Sequence, residues 1–172
     1  GTGMLFSDER LKPFRFGGTQ ENGLFPGTEN LPGIIALAAA LELLASRQLE
    51  DEQVLSSLDT DGRRILDTGG FPYIWESPRE KASGVFCISL PWVADMEELL
   101  FYLNTKHVFV SRFSACTGRV DGPSRVLCAM GRPFDRATRS LRVSLGREST
   151  RKDLFTFGSV LKEYWSRARI HL

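Results

Sequence analysis

A run of apolar residues at helical spacing is the feature that most constrains how this chain can fold. Pro32 stands where a helix would begin, and the apolar positions that follow are Ile34, Ile35, Leu37, Ala38, Leu41, Leu44 and Ala45. Proline is favoured in the first turn, and this spacing predicts a helix of about 15 residues over positions 34–48. Its apolar face is wide enough to pack on two sides. We therefore expect this helix to join two domains, and we interpret its apolar stripe as core.

Composition bounds the size of the core and the partners of the chain. With 172 residues, 42% of them hydrophobic, the chain is long enough for one substantial core. Its 22 basic and 21 acidic residues give a net charge of +1, which provides no electrostatic reason to expect nucleic acid or a membrane surface as a partner. No apolar run approaches the roughly 18 residues that span a bilayer, and the first residues lack the layout of a signal peptide. These observations predict a soluble, cytoplasmic protein without nucleic-acid or membrane partners.

The cysteines and histidines indicate neither disulfides nor a metal site. Cys87, Cys116 and Cys128 form an odd set without CxxC spacing, which favours reduced thiols. His107 and His171 are far apart in the sequence and lack the spacing of metal ligands. We therefore predict no metal site.

Short strands and helices are predicted to follow one another along the rest of the chain. We expect an edge strand at residues 4–6, a turn at Thr60 to Gly62, further strands at 72–76, 84–90, 107–110 and 141–145, and helices at 96–104, at 124–131 and from Thr150 onward. Asp95 is expected to cap the first of these helices, and Thr150 and Asp153 to form a capping box. In the helix at 124–131, Val126, Leu127 and Met130 are expected to pack inward. Together these elements predict an α+β domain with a mainly antiparallel sheet and helices on one face.

The segment from Val108 to Arg119 leads a β-rich apolar run into a small, polar loop with Cys116 at its tip. Thiolate chemistry needs an exposed sulfur near cations that lower its pKa, and Arg112 and Arg119 flank this cysteine. Small neighbouring residues leave it uncrowded. The pattern fits a reactive thiol, and it also fits a small hydrophobic side chain at the end of a strand.

Two further positions could bind anions. Leu and Val alternate with polar residues from Leu141 to Leu145, which places Arg142 on the face opposite the core, where it could bind a carboxylate bidentately or form an ordinary surface salt bridge. Residues 17–33 hold five glycines and two prolines, a composition that excludes regular structure and lets backbone amides approach an anion closely. This segment could contact a phosphate or simply connect two elements.

Three blocks of sequence occur together in a characteristic order. The first is the Gly-rich segment 17–32, the second is Ser114-Ala115-Cys116, and the third is Ser-Leu-Arg-Val-Ser-Leu-Gly-Arg at 140–147, which contains Arg142. With these blocks the chain resembles the cysteine desulfurases, which are the pyridoxal-phosphate-dependent branch of the class V aminotransferase family. Weaker similarity continues between and after them, so the resemblance covers nearly the whole chain. Phe25 and Pro26 stand where family members usually have Arg-Ser.

The resemblance implies a fold and a division into domains. It implies the small C-terminal domain of a fold-type-I PLP-dependent transferase together with its interdomain helix. Residues 1–33 would form an edge strand and a Gly-rich cofactor and dimer loop from the large-domain side, 34–48 the interdomain helix, and 49–172 the C-terminal α+β domain. Residues 1–6 resemble the strand that follows the family's PLP-binding lysine. We therefore expect this chain to lack the Schiff-base lysine and to be inactive on its own.

The resemblance also implies an activity and the residues that perform it. A cysteine desulfurase removes sulfur from L-cysteine, giving L-alanine and an enzyme-bound persulfide that passes to a sulfur-acceptor protein for iron-sulfur cluster or thio-cofactor supply. By position, Cys116 would be the catalytic nucleophile and Arg142 would bind the substrate carboxylate. Gly27 and Thr28 would contact the phosphate of pyridoxal 5'-phosphate in the other subunit of a homodimer. The alternatives are another class V enzyme such as selenocysteine lyase, and a non-catalytic thiol or dimerisation module that kept the fold.

Overall fold

A computed structural model describes residues 2–13, 15–112 and 122–169. The chain divides into two compact units, Gly1–Leu49 and Glu50–Leu172. Its elements are a 3-10 turn Gln20–Gly23, helix α1 (Leu31–Thr68), strands β1 (Ile74–Trp75) and β2 (Val85–Ser89), helices α2 (Met96–Thr105), α3 (Arg125–Ala129) and α4 (Phe134–Thr138), strand β3 (Ser140–Ser144) and helix α5 (Arg151–Ala168). The predicted division of the chain into residues 1–33, 34–48 and 49–172 remains a prediction.

The first unit is built from irregular chain and the first half of α1. Residues 4–6 form no strand and are exposed, so the predicted edge strand is wrong. The expectation that residues 17–33 contain no regular structure is also wrong, because the 3-10 turn lies within them and α1 begins at Leu31. The Asn30 side-chain oxygen accepts a hydrogen bond from the Gly33 N–H at 3.2 Å, which stabilises the start of the helix.

Helix α1 is much longer than the sequence predicted. It runs unbroken for 38 residues, through the acidic stretch near position 50 and through the expected turn at Thr60 to Gly62. The Thr60 hydroxyl donates to the Ser56 carbonyl at 3.1 Å, four residues back, so its hydrogen bond is made within the continuing helix. Gly62 is buried, and a Cβ there would lie 3.3 Å from the Phe86 ring. This glycine therefore serves the packing of a helix against the sheet.

The first half of α1 has the length and apolar composition of a membrane-spanning helix. An 18-residue window with at most two charged residues meets those criteria, and none of it is buried in the structure. The expectation that no run approaches such a length is therefore wrong. A helix of a soluble protein that is covered by another domain has the same composition, so the finding alone does not assign a membrane.

The second unit is organised around a three-stranded antiparallel sheet in the order β1-β2-β3. One face of the sheet carries Phe86, Ile88, Leu141 and Val143, all buried. They join a core with residues of α1, α2 and α5, which include Ile65, Leu66, Leu99, Leu103, Leu154, Phe157 and Leu161. The other face carries Cys87 and Arg142, which are cross-strand partners. The predicted α+β fold with an antiparallel sheet is confirmed.

Several local predictions are confirmed and others are not. The Asp95 carboxylate accepts from the Glu97 and Glu98 N–H groups, and Thr150 and Asp153 form the predicted capping box. Helix α3 is capped by the Ser124 hydroxyl. Its Leu127 is buried as expected, but Val126 is 58% exposed and Met130 38% exposed, so their predicted inward packing is wrong. A five-residue helix presents too short a face to bury all three.

The predicted strand at 107–110 is also wrong. After α2, the Val108 N–H returns to the Leu103 carbonyl at 3.0 Å, so the backbone at this point closes the helix rather than pairing with the sheet. His107 adopts φ +58°, in the left-handed region. The chain reaches the sheet only at Ser111, which forms an isolated antiparallel bridge with Arg142. This single bridge brings Ser111 to the edge of β3.

Candidate active site

Arg142 is held in place by backbone contacts on both sides. Its Cα pairs with that of Cys87 across β2 and β3. On its other side the Ser111 N–H donates to the Arg142 carbonyl at 3.1 Å, and the Arg142 N–H donates to the Ser111 carbonyl at 2.6 Å. Its neighbours Leu141 and Val143 point into the core, so the alternation predicted from the sequence is confirmed and the Arg142 side chain lies on the opposite face.

A cavity of about 300 Å³ lies on this face of the sheet. Arg142, Cys87 and Arg112 line it, together with the apolar residues Val85 and Phe86 of β2, Val126 and Leu127 of α3, and Met130 directly after α3. The exposed side chains of α3 that were predicted to pack inward therefore form one wall of this cavity. Its volume is at the lower end of the range for small-molecule sites.

The cavity lies between the two ends of the segment that was predicted to carry the reactive thiol. Arg112 directly precedes residues 113–121, Ser124 follows them closely, and both line the cavity. Cys116 and Arg119 themselves lie outside the described residues. The structure thus places Arg142 beside the two anchors of this segment and leaves the role of Cys116 a prediction.

Cations surround the cavity, and they differ in whether a carboxylate neutralises them. The Arg112 guanidinium pairs with Glu97 at 2.6 Å, and Lys81 pairs with Asp59. Within the described parts of the chain, no carboxylate lies within salt-bridge distance of Arg142. A half-buried arginine that no carboxylate of the described residues neutralises is suited to bind a carboxylate from outside.

The two other cysteines are not suited to be the nucleophile. Burial raises the pKa of the Cys87 thiol to about 11, and the negative charge of Glu76 acts in the same direction. The Cys87 thiol is therefore protonated at neutral pH, although it lines the cavity. Cys128 is exposed on α3 and does not line the cavity.

Gly27 and Thr28, the predicted phosphate-binding residues, belong to the first unit. Gly27 adopts φ +124°, and its N–H donates to the Gln20 side-chain oxygen at 3.2 Å. A Cβ at Gly27 would meet nothing within 4 Å, and Thr28 is exposed. An open left-handed glycine beside an exposed hydroxyl leaves room for an anion such as a phosphate.

Sequence reasoning missed a buried ion cluster that borders the cavity. Glu76 is fully buried at the end of β1. Arg136 donates to both of its oxygens at 2.8 Å, Arg132 lies 3.2 Å away, and the Ser89 hydroxyl donates at 2.8 Å. The only sequence signal was the i, i+4 spacing of the two arginines, in a segment for which no helix was predicted. The cluster links β1, β2 and α4.

Metal binding has no support in the residues that the structure describes. In those ranges no three His, Cys, Asp or Glu side chains are grouped closely enough to hold an ion.

Comparison with known proteins identifies relatives over almost the whole chain. The chain is 36% identical over 160 residues to the putative cysteine desulfurase IscS 1 of Bacillus subtilis, covering 91% of the chain and 42% of that protein. It is 32% identical over 173 residues to the cysteine desulfurase IscS of Methanosarcina thermophila, covering 98% of the chain and 42% of the relative. The chain thus spans about two fifths of the length of these relatives.

A solved structure titled NifS-like protein has the same fold, with a TM-score of 0.78 and 25% identity over 93% of this chain and 40% of its own. A NifS-like protein from Rickettsia africae, 23% identical, agrees in fold with a TM-score of 0.77 over 92% of this chain and 41% of its own. The resemblance inferred from the three sequence blocks is confirmed. The family model described as Aminotransferase class-V matches residues 3–157, and the chain therefore belongs to the class V aminotransferase family.

Proposed function

We propose that this chain provides the carboxylate-binding arginine and the sulfur-accepting thiol of a cysteine desulfurase. The observation that carries the proposal is Arg142, which lines the cavity together with Arg112 and Ser124 and pairs with no carboxylate of the described residues. The relatives named cysteine desulfurase support L-cysteine as the substrate. The activity is proposed for the whole protein to which this chain contributes.

Arg142 would bind and orient the substrate. Its backbone is fixed between Cys87 and Ser111, so the point from which its side chain extends is set by the sheet and not by a loop. Two parallel hydrogen bonds from a guanidinium to the carboxylate of L-cysteine fix both the position and the rotation of the amino acid. The apolar walls of the cavity exclude water from that ion pair, which strengthens it.

Cys116 would accept the sulfur. Its thiolate attacks the sulfur of L-cysteine, so that an S–S bond forms between the two sulfurs and the C–S bond of the substrate breaks. The electron pair of the broken bond stays with the substrate carbon, which takes up a proton and becomes the methyl group of L-alanine. The products are L-alanine and a Cys116 persulfide, which we propose passes to an acceptor protein. The raised pKa of Cys87 supports Cys116 as the nucleophile, because a protonated thiol attacks poorly.

Cysteine desulfurases and class V aminotransferases depend on pyridoxal 5'-phosphate. When bound, that cofactor supplies an electron sink for the charge on the substrate carbon. Of this chain's residues, Gly27 and Thr28 would hold the phosphate, because the glycine backbone is open and the Thr28 hydroxyl is exposed. We propose that they do so across the interface of a homodimer, in a cytoplasmic protein.

The test is sulfide release from L-cysteine by the active protein that contains this chain. Cys116→Ser should abolish release, because an alcohol with a pKa far above neutrality does not replace a thiolate. Cys128→Ser, which changes an exposed thiol of α3, should leave it unchanged. Full activity in Cys116→Ser would overturn the assignment, and retained alanine formation without a cysteine nucleophile would favour a lyase such as selenocysteine lyase.

The same assay tests Arg142. Arg142→Ala should raise KM for L-cysteine by an amount that corresponds to about 2 kcal/mol of lost carboxylate binding, while Cys116 remains reactive toward iodoacetamide. Arg125→Ala removes an exposed arginine of α3 that does not line the cavity and serves as the matched control. An unchanged KM in Arg142→Ala would place the carboxylate elsewhere.

A further inference from the structure

A second depression in the surface has the opposite character to the apolar cavity. It is an open groove of about 450 Å³ between the C-terminal part of α1 and the β1–β2 loop, and we call it the basic groove. Its cationic lining residues are Arg63, Arg64, Arg79 and Lys81. Asp59 and Asp67 are the carboxylates among its described lining residues. Positive charge is therefore in excess in the groove, although the whole chain has a net charge of only +1.

Both carboxylates of the groove already accept hydrogen bonds from other residues of the protein. Asp59 accepts from the Lys81 ammonium and, at 3.1 Å, from the Gly84 N–H. Asp67 accepts from the Tyr73 hydroxyl. Asp59 and Lys81 are also largely buried, with 13% and 17% of their side chains exposed. This pair is internally neutralised, and the charge that the groove presents to solvent comes from its arginines.

Arg63 is exposed and lies over an aromatic ring of the sheet. Its guanidinium carbon lies 5.3 Å from the centre of the Trp75 ring. Trp75 is in turn stacked on the fully buried Phe86, with ring centres 5.0 Å apart and planes inclined by 17°. A cation–π contact uses the face of the guanidinium and not its N–H groups. Arg63 is thus an exposed cation that contacts Trp75, and Trp75 in turn packs on the sheet core.

The two other arginines add exposed charge on both sides of the groove. Arg79 follows Pro78 in the β1–β2 loop and is exposed. In the parts of the chain that the structure describes, neither Arg63 nor Arg79 forms a salt bridge. Arg64 reaches Asp61 at 3.5 Å, but its side chain is 65% exposed, so this contact neutralises it weakly.

We propose that the basic groove binds an acidic, extended segment of a partner protein. Cations from a helix and from a facing loop can be satisfied together by several carboxylates spaced along one chain. A single small anion in so open a groove would remain largely screened by water. Planar arginines match the geometry of carboxylates. The small net charge of the chain argues against nucleic acid. The proposal does not depend on the desulfurase activity.

The experiment measures binding of a hexaglutamate peptide with blocked ends to the 172-residue chain by calorimetry, beside hexalysine and inorganic phosphate. We expect hexaglutamate to bind, and its affinity to fall between about 0.1 M and about 1 M NaCl, where the Debye length falls from about 10 Å to about 3 Å. Arg63→Glu and Arg79→Glu should each weaken binding by about tenfold or more, because each replaces an attraction by a repulsion. Arg63→Lys keeps the charge and should retain more binding than Arg63→Glu.

Arg47→Glu is the matched control, because Arg47 is an exposed arginine of the same helix outside the groove. It should leave hexaglutamate binding unchanged, and thermal unfolding of each variant should match that of the parent chain. Equal weakening by Arg47→Glu and Arg63→Glu would show non-specific attraction and overturn the proposal. So would the absence of hexaglutamate binding at low salt. Inorganic phosphate binding as tightly as the peptide would make the groove a small-anion site, which is also contrary to the proposal.

Discussion

At the scale of single residues, Glu76 both stabilises the folded protein and lines the cavity. It is fully buried, and Arg136, Arg132 and Ser89 surround its carboxylate. Glu76→Gln removes the charge and leaves two arginines without their anion, so we expect a loss of about 3 kcal/mol of unfolding free energy in urea denaturation. Glu163→Gln, which alters a half-exposed ion pair on α5, should change stability much less. Equal effects of the two substitutions would contradict the structural role of the cluster.

The Cys87 thiol provides a pH-dependent test. Burial raises its pKa from the model-compound value of 9.0 to about 11, so ionisation is delayed in the folded protein. A group with a raised pKa in the folded state contributes stability below its unfolded pKa, and this contribution is lost as the pH rises through the folded value. We expect alkylation of Cys87 by iodoacetamide, followed by mass spectrometry, to be slow at pH 8 and to increase only near pH 11. Exposed Cys128 serves as the comparison, and equal rates at pH 8 would refute the burial effect.

The positions of individual residues were predictable where a local repeat fixes them. Alternation along β3 was enough to place Arg142 opposite the core. Gly62 and Glu76 were not predictable, because the reason for each is a partner distant in sequence: the Phe86 ring for Gly62, and Arg136 for Glu76. The functional roles of Cys116, Arg142, Gly27 and Thr28 remain predictions.

At the scale of elements, the contact between α1 and α5 depends on a glycine. A Cβ at Gly158 would lie 2.7 Å from the Cγ2 atom of Ile65, a branched side chain with little freedom to move. Alanine would gain up to about 1 kcal/mol of helix propensity, but we expect overpacking to outweigh it and Gly158→Ala to lower the unfolding free energy by about 1 kcal/mol or more. Ser159→Ala, on the exposed side of the same helix, should be neutral or stabilising in thermal unfolding. A stabilised Gly158→Ala would show that the two helices can separate at little cost.

The sequence predicted the kinds of elements better than their limits. The α2 and α5 helices were predicted well, because capping residues and apolar spacing agree there. Helix α1 was predicted to end at residue 48 but continues to Thr68, and the turn predicted at Thr60 to Gly62 was overridden by packing against the sheet. The strand expected at 107–110 does not form, because local backbone hydrogen bonds to α2 take the place of pairing with the sheet. Its apolar residues follow a helix end whose backbone bonds return to α2.

At the scale of the whole molecule, the resemblance of the three sequence blocks predicted the family, which the periodicity of apolar residues does not reveal. Apolar patterns indicated an α+β chain with one long helix, and the three sequence blocks indicated the family, which the match over residues 3–157 confirms. Patterns did not reveal how exposed the first half of α1 is, because burial depends on what covers a helix. That exposure leads to a prediction about association.

The isolated 172-residue chain should self-associate through α1. Ile35 and Leu49 lie 14 residues apart, close to four helical turns, so they share one face, and they are 68% and 81% exposed. Water contact with such a face is unfavourable, and pairing with a second copy would remove it. Sedimentation velocity should therefore show a concentration-dependent increase in mass, and the double substitution Ile35→Ser with Leu49→Ser should reduce it. Phe155→Ser, which removes an exposed apolar side chain of α5, should not. A clean monomer at high micromolar concentration would refute association through this face, and flotation with lipid vesicles instead would assign the helix to a membrane.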